Sequence, residues 1–281
     1  MMLRKLLQVL SPRSESPMPS VEGAAEPPTA TGPLEPERTV ARDGALSGWF
    51  NHETGELLPG YDASGDDVVL DVGCGDTPLS SFFANRAGSM IVADLLAENV
   101  EKAESRLRAV GARNVRAIVT DTDPLPLDSA SVTRVVATEV LEHVPDPTRF
   151  MAELVRVGRP GARYLLSVPD ASSEALQQTI AAPSYFEPPN HVRVFSREAF
   201  ERLVVDAGLV IEHRKLYGFY WTMWWCFFWT CKQDLSPPWH PLLESWTRTW
   251  GLLLDTEQGG QIKAVLDNAL PKSQLIVARK P

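Results

Sequence analysis

Short apolar runs alternate with amphipathic segments through the middle of the chain. The runs predict strands at 68–72, 89–94, 115–119, 132–137, 162–168, 209–216 and 274–279. The segments between them predict helices near 79–87, 97–110, 147–157 and 197–207, and a long loop is expected from the strand at 162–168 to about residue 195. Ser196 is the expected N-cap of the last of these helices. Strands that alternate with helices indicate an α/β domain with helices on both faces of a parallel sheet.

The first strand ends in a turn that suits close approach of a ligand. Residues 71–75 read Asp-Val-Gly-Cys-Gly. The two glycines permit a sharp turn and, without a Cβ, leave the backbone bare. Asp94 ends the second strand about twenty residues later, where an acid reaches ribose hydroxyls in a βαβ unit. Either feature alone can be purely structural.

The third and fourth strands also end in polar residues. Asp121 and Thr122 follow the third strand, and Thr138 and Glu139 follow the fourth. Carboxyl ends of parallel strands lie at one edge of the sheet, and ligands bind there where the strand order reverses. We therefore expect all four motifs to line a single cleft.

Four segments together resemble a known family. They are VVLDVGCGDTPLSSFFA, IVADL, TDTDPLPLDSASV and VVATEVLEHVPDP. As a set they resemble the class I S-adenosylmethionine (SAM)-dependent methyltransferases, in particular the branch that methylates small molecules, lipids and sugars. The resemblance spans roughly residues 60–215 and implies a Rossmann-like, doubly wound, seven-stranded sheet, mostly parallel with an antiparallel last strand. Val132-Thr133-Arg134 departs from the Phe-Asp common in the family, but lies away from the cleft.

The resemblance implies SAM as the cofactor and assigns residues to its methionine end. Gly73 and Gly75 would place bare backbone against the methionine moiety. Asp71 would favour the ligand's ammonium group, since opposite charges attract. Thr138 and Glu139 would close the same side of the cleft.

The adenosine end of the cofactor is assigned in the same way. Asp94 would accept hydrogen bonds from the ribose hydroxyls, and Leu95 would pack on the adenine ring. Asp121 would accept a hydrogen bond from the adenine amino group, with Thr122 beside it. A purely structural role as a capping or surface acid remains the alternative for both acids.

Two histidines are candidates for the catalytic base. His143 follows the fourth strand, and His191 precedes the Phe195-Ser196 helix start in a loop that faces the acceptor in the resembling branch. A histidine suits proton removal from a hydroxyl, because its ordinary pKa lies near neutrality. A structural role is the alternative for each. No metal-binding cluster is evident in the sequence, so metal-assisted transfer is disfavoured.

Two other functions stay open. A dinucleotide-dependent dehydrogenase would use Gly-x-Gly-x-x-Gly, but Pro78 stands at the third glycine position and Asp71 would repel a pyrophosphate. A non-catalytic SAM-binding regulator or scaffold is the second alternative, although the cofactor loop is intact. The leading prediction is a methyltransferase acting on a small-molecule, lipid or saccharide acceptor, at oxygen.

Composition narrows the partners and the compartment. The net charge of -9 argues against a nucleic-acid partner, which usually calls for a basic face. Cys74, Cys226 and Cys231 form no Cys-x-x-Cys pair, so a zinc site or disulfide framework is not expected. Cys74 belongs to the cofactor loop, where it fills a small apolar space. Reduced thiols favour a cytoplasmic protein, with peripheral contact at the inner membrane face as an alternative.

The chain divides into five predicted segments. They are a short amphipathic helix at 1–10, a disordered linker at 11–37, a SAM-binding core with an N-terminal cap at 38–216, an aromatic-rich helical insertion at 217–273, and the last core strand at 274–281. The insertion predicts helices at 242–254 and 259–269. Its aromatic run, 217–231, offers about 14 apolar residues, or roughly 21 Å of helix, which is too short to span a bilayer. It therefore packs as a lid, binds an apolar acceptor or touches a membrane surface. Residues 1–10 are expected to form a short helix that is docked on the domain or frayed, with contact to a membrane surface or a partner as the alternative.

Overall fold

The computed structural model describes residues 36–76 and 78–281, which contain a seven-stranded sheet in the order β3-β2-β1-β4-β5-β7-β6. The strands are β1 (Val68–Val72), β2 (Ser89–Asp94), β3 (Val115–Val119), β4 (Val132–Thr138), β5 (Gly158–Pro169), β6 (Val210–Tyr217) and β7 (Ser273–Arg279). The predicted helix at 1–10, and all of the predicted linker before Pro36, lie outside the described residues.

The strand directions confirm the predicted fold class. Strands β1 to β5 pair with one another in parallel, whereas β7 runs antiparallel to both β5 and β6. Leu70 of β1 pairs with Ile91 on one side and Val135 on the other. The chain thus winds outward in both directions from β1 and β4. The order reverses between these two strands, so the ligand crevice lies beyond their carboxyl ends.

Helices cover both faces of the sheet. They are α1 (Pro36–Leu46), α2 (Ala97–Ala109), α3 (Pro147–Val157), α4 (Ala171–Gln177), α5 (Arg197–Asp206), α6 (Phe219–Thr230), α7 (Pro241–Leu254) and α8 (Gly259–Ala269), with 3₁₀ turns at Leu79–Phe83 and Pro183–Phe186. The predicted helix at 79–87 is only a 3₁₀ turn. Helix α4 lies where a long loop was expected, and Asp170 caps it by accepting from the backbone N–H of Ser172 at 3.0 Å.

The central strands are buried on both faces. Leu70 and Val135 point into one apolar cluster, and Val69 and Val136 point into another on the opposite face. The predicted N-terminal cap contributes to the second cluster through Trp49 and Tyr61, and the Tyr61 hydroxyl donates to the Val135 carbonyl at 2.9 Å.

The aromatic insertion forms its own packed cluster. Helix α6 packs against α7 through the rings of Tyr220 and Trp250, and Trp250 donates from Nε1 to Asp43 Oδ1 at 2.8 Å. Lys263 of α8 lies beside Asp43, with Nζ 3.3 Å from Oδ1. The aromatic side chains of α6 are therefore largely buried within this cluster. Within the described chain, every helix is too short or too polar to cross a membrane.

Loss of the α5 N-cap should lower stability modestly. Ser196 Oγ accepts from the Ala199 backbone N–H at 3.1 Å, as predicted from the sequence. Ser196→Ala is expected to lower the free energy of unfolding by about 1 kcal/mol, because that donor loses its partner. Urea unfolding measures the change. The exposed Ser236, which lies outside any helix, provides a matched Ser→Ala control, and equal effects in both variants would contradict the capping role.

Candidate active site

The glycine loop after β1 is tied to the end of β2. Gly73 and Gly75 both have left-handed backbone, with φ of 62° and 58°. The Gly75 N–H donates to Asp94 Oδ2 at 2.9 Å, and the Cys74 N–H donates to the Ala93 carbonyl at 3.2 Å. Cys74 itself is buried, in keeping with its predicted apolar role. The loop is thus held open in a conformation that only glycine adopts without strain.

Gly73 also touches the loop that follows β4. A Cβ at this position would lie 2.4 Å from Val140 Cγ2, closer than two carbon atoms can approach. The absence of a side chain therefore brings the first and fourth motifs together. Both the left-handed backbone and the contact require glycine here.

Asp71 lies completely buried beneath the glycine loop. Its Oδ2 accepts from the backbone N–H of Ser80 at 3.1 Å. The carboxylate thus links the end of β1 to the 3₁₀ turn after the loop. It places a buried acid directly under the loop, and its predicted attraction for the SAM ammonium stays a prediction.

The carboxylate of Asp94, at the end of β2, connects three segments at the carboxyl edge of the sheet. Besides the Gly75 N–H, its carboxylate accepts from the Leu96 backbone N–H and from Asn99 Nδ2, both at 3.0 Å. The side chain is therefore fixed between the glycine loop and the start of α2. Leu95 stands beside it with 66% of its surface exposed, and its predicted contact with adenine stays a prediction.

The turn after β3 presents the third motif. Asp121 Oδ1 accepts from the Asp123 backbone N–H at 3.0 Å, which makes a tight Asx turn. Thr122 has a φ of 68° and is buried, with its N–H donating to Thr120 Oγ1 at 2.9 Å. This geometry leaves Asp121 exposed at the carboxyl end of β3.

The end of β4 is anchored to β5. Thr138 and Glu139 are both buried, and the backbone of Glu139 is left-handed, with a φ of 54°. The Glu139 N–H donates to the Ser167 carbonyl, and the Ser167 hydroxyl donates to Glu139 Oε1, both at 2.9 Å. Lys272 Nζ lies 3.9 Å from the other carboxylate oxygen. The fourth motif thus borders a buried polar cluster that contains Glu139, Ser167 and Lys272.

The two candidate histidines lie side by side in that cluster. Their ring centroids are 5.1 Å apart. His143 Nδ1 lies 2.9 Å from the Asn190 carbonyl and 3.1 Å from the Pro189 carbonyl, and His191 Nδ1 lies 2.8 Å from Glu174 Oε2. Because all of these partners are acceptors, each Nδ1 carries the proton and each Nε2 keeps a free lone pair.

Burial sets the charge of these groups. It lowers the pKa of His143 to about 4, with the neighbouring His191 adding to the effect. Burial also lowers the pKa of His191, against the opposing pull of the Glu174 carboxylate. Burial and then the charge of Glu139 raise the pKa of Glu142 well above its ordinary value. His143 is therefore neutral at pH 7, and its Nε2 lone pair is available to accept a hydrogen bond or to bind a ligand.

Comparison with known families decides the identity of the fold. A family model described as a methyltransferase domain matches residues 3–214, well over half of the chain. The chain belongs to the class I SAM-dependent methyltransferases. Membership confirms, at the level of the family, the predicted enzyme class and SAM as cofactor. It decides against the dinucleotide-dependent dehydrogenase.

Curated relatives of this methyltransferase share part of its length. A probable S-adenosylmethionine-dependent methyltransferase of Mycolicibacterium smegmatis is 30% identical over 183 residues, which are 64% of this chain and 66% of that protein. A ubiquinone biosynthesis O-methyltransferase of Paracidovorax citrulli is 28% identical over 118 residues, which are 42% of this chain and 50% of that protein. The matches thus span between half and two-thirds of these relatives.

Solved structures agree on the fold of the methyltransferase. Geranyl diphosphate C-methyltransferase from Streptomyces coelicolor A3(2), in complex with Mg²⁺, geranyl diphosphate and S-adenosyl-L-homocysteine, aligns with a TM-score of 0.55 at 16% identity, covering 90% of this chain and 86% of that one. The [4+2]-cyclase SpnF aligns with a TM-score of 0.53 at 17% identity, covering 90% and 84%. At such identities the likeness extends to the fold alone.

The structure of the methyltransferase adds residues that the sequence analysis missed. Glu142 is buried next to His143, Glu174 pairs with His191, and the Tyr185 hydroxyl donates to Glu174 Oε1 at 3.2 Å. Glu142 was detectable as the neighbour of a candidate histidine. Glu174 carried no such signal, because its segment was expected to be a loop, and its role depends on the pairing with His191.

Proposed function

We propose that this protein transfers a methyl group from SAM to an oxygen atom of a small-molecule, lipid or saccharide acceptor. The observation that carries the proposal is the histidine pair beside the cofactor crevice. His191, oriented by Glu174, and His143, oriented by two carbonyls, keep free Nε2 lone pairs. An enzyme that methylates a hydroxyl gains from such groups, since the hydroxyl must lose its proton.

The residues present fit SAM. Gly73 has no room for a side chain, Gly75 is left-handed, and Asp94 joins the glycine loop to the start of α2. These residues would hold the methionine and ribose parts, with Asp121 and Leu95 at the adenine end. Buried acids beneath and beside the loop suit a ligand that carries an ammonium and a sulfonium. The chemistry that SAM supplies when bound is a methyl group on a cationic sulfur, which is a good leaving group.

The side chains of the cluster would act on the acceptor. Glu174 holds the His191 ring so that Nε2 points away from the carboxylate, and the backbone carbonyls do the same for His143. Each Nε2 lone pair accepts a hydrogen bond from an acceptor hydroxyl and favours its ionised form. Burial of the cluster excludes water, which strengthens these interactions.

The aromatic insertion would shape the acceptor site. Trp229 of α6 donates from Nε1 to Gln177 of α4 at 3.0 Å, and its ring lies 5.4 Å from that of Tyr185. Tyr185 in turn lies 4.4 Å from the His191 ring. The insertion therefore reaches the histidine pair through aromatic contacts, and differences in it would select the acceptor. Transfer to oxygen is also the activity named for the ubiquinone biosynthesis relative.

The test is an acceptor screen with isotope-labelled SAM, preceded by calorimetric titration with S-adenosylhomocysteine. The expected results are binding of S-adenosylhomocysteine and label in the methyl ether of a hydroxylated acceptor. Label on carbon or nitrogen alone would overturn the choice of oxygen. Failure of the folded protein to bind S-adenosylhomocysteine would contradict both the methyltransferase function and the alternative of a SAM-binding regulator.

Substitution of His191 should separate catalysis from cofactor binding. His191→Asn keeps a donor toward Glu174 but removes the Nε2 lone pair. We expect kcat to fall by about 100-fold, in the range of a lost proton acceptor, with unchanged affinity for S-adenosylhomocysteine. Single-turnover transfer and calorimetry measure the two quantities. The exposed His213 is the matched control, and an equal loss in His213→Asn would contradict the role of His191.

A further inference from the structure

The buried cluster beside the crevice contains an unexplained carboxylate. Glu142 is 1% exposed, and both of its side-chain oxygens have no hydrogen-bond partner among the described residues. A buried carboxylate without partners is costly, because it has lost its hydration. His143 Nε2, also buried and without a hydrogen-bond partner there, lies 3.6 Å from Glu142 Oε1.

Three potential ligand atoms converge at this point. One atom each from Glu142, His143 and His191 lies within 4.8 Å of the others. Ligand atoms around a tetrahedral ion with bonds of about 2.1 Å are about 3.4 Å apart. Small side-chain rotations would therefore bring the three ligand atoms to the spacing that a metal ion requires. The Nδ1 atoms of both imidazoles are engaged elsewhere, so Nε2 is the ring nitrogen that remains for a cation.

The two histidines have the hydrogen-bond partners that histidine ligands of metal ions usually have. Histidine ligands usually donate the other ring N–H to a carboxylate or backbone carbonyl, which fixes the ring and raises its basicity. Here the Nδ1–H of His191 donates to Glu174, and the Nδ1–H of His143 donates to the Asn190 carbonyl. Lys272 approaches Glu139 and Glu174 within 4 Å, whereas no lysine or arginine of the described chain pairs with Glu142.

We propose that Glu142, His143 and His191 bind a first-row divalent cation such as Zn²⁺. Two imidazoles and one carboxylate suit such an ion, whereas Mg²⁺ and Ca²⁺ prefer oxygen ligands. Three protein ligands leave the fourth position of a tetrahedral ion open. Building on the proposed function, an acceptor oxygen occupies that position, and the cation lowers the pKa of its hydroxyl. With the ion bound, the histidines act on the acceptor through it.

Metal binding is tested without any acceptor. Chelator-treated protein is titrated with Zn²⁺ alone against a chromophoric competitor, and one equivalent should bind. Glu142→Gln and His191→Asn should each weaken binding by more than about 100-fold, and Glu174→Gln by about 10- to 100-fold, as for loss of an orienting partner. His213→Asn should bind Zn²⁺ like the wild type, and Mg²⁺ should not compete. Thermal melting without metal checks that each variant is folded.

A second measurement needs no variant. Wild-type protein loaded with Co²⁺ should give two exchangeable, paramagnetically shifted proton signals, one from each Nδ1–H. Absence of stoichiometric Zn²⁺ binding, or equal binding by Glu142→Gln and wild type, overturns the proposal. Protein that binds S-adenosylhomocysteine but no Zn²⁺ refutes the metal site alone. Protein that binds Zn²⁺ but no S-adenosylhomocysteine refutes the methyltransferase function instead.

Discussion

Replacement of Asp94 by alanine is expected to weaken binding of S-adenosylhomocysteine by at least about 100-fold. In the proposed site the carboxylate accepts one hydrogen bond from each of the two ribose hydroxyls. Hydrogen bonds to a charged group contribute about 1.5–3 kcal/mol each. Their loss would amount to about 3–6 kcal/mol, where about 1.4 kcal/mol corresponds to tenfold in affinity. The Gly75 N–H would lose its acceptor as well, which loosens the glycine loop. Calorimetric titration measures the change.

The ribose contact can be separated from the structural role of Asp94. Its bonds to the Leu96 N–H and Asn99 Nδ2 stabilise the start of α2 whether or not a ligand is bound. A cycle that combines Asp94→Ala with a 2′-deoxy form of the ligand isolates the contact. The wild type should lose affinity for the deoxy ligand, and the variant should show little further loss. Asp128→Ala, an exposed acid on the loop before β4, is the control. Equal affinity of both variants for the normal ligand would contradict the assignment.

Gly73→Ala is expected to lower the free energy of unfolding by about 2–5 kcal/mol and to abolish binding of S-adenosylhomocysteine. A left-handed backbone costs a non-glycine residue about 1–2 kcal/mol. The clash of the new Cβ with Val140, 2.4 Å from Cγ2, adds about 1–3 kcal/mol through overpacking. Relief of the clash would push the first and fourth motifs apart, which deforms the crevice. Urea unfolding and calorimetry measure the two effects.

Two further variants separate the loss of stability in Gly73→Ala into backbone strain and the clash with Val140. Gly161 has a φ of 80°, and a Cβ added there would meet no atom within 4 Å, so Gly161→Ala reports the backbone strain alone. In Gly73→Ala/Val140→Ala the clash is removed while the strain remains. We expect a favourable coupling of at least about 1 kcal/mol between the two substitutions, as for residues in direct contact. Additive effects would show that Val140 does not limit position 73.

The local features of the fold were accessible from the sequence because their causes are local. Apolar runs marked β1 and β2 at their observed bounds, and Ser196 marked the start of α5. The helix at 171–177 was missed, because its stretch carries only a weak apolar pattern between a buried strand and a Pro-rich loop. Helix α1 was also missed, since it is mostly polar and depends on packing against α7.

From the sequence alone came the positions of most strands along the chain and, through the resemblance of four motifs, the family and its fold class. The strand positions depend on residue periodicity, and the motifs on backbone preferences such as those of Gly73, which act over a few neighbours. Only the tertiary structure decided which polar groups meet beside the crevice. Glu174 joins His191 across 17 residues, and Lys272 reaches both Glu139 and Glu174 from β7's side of the sheet. Such encounters follow from how strands and helices pack, and a single sequence carries no local signal for them.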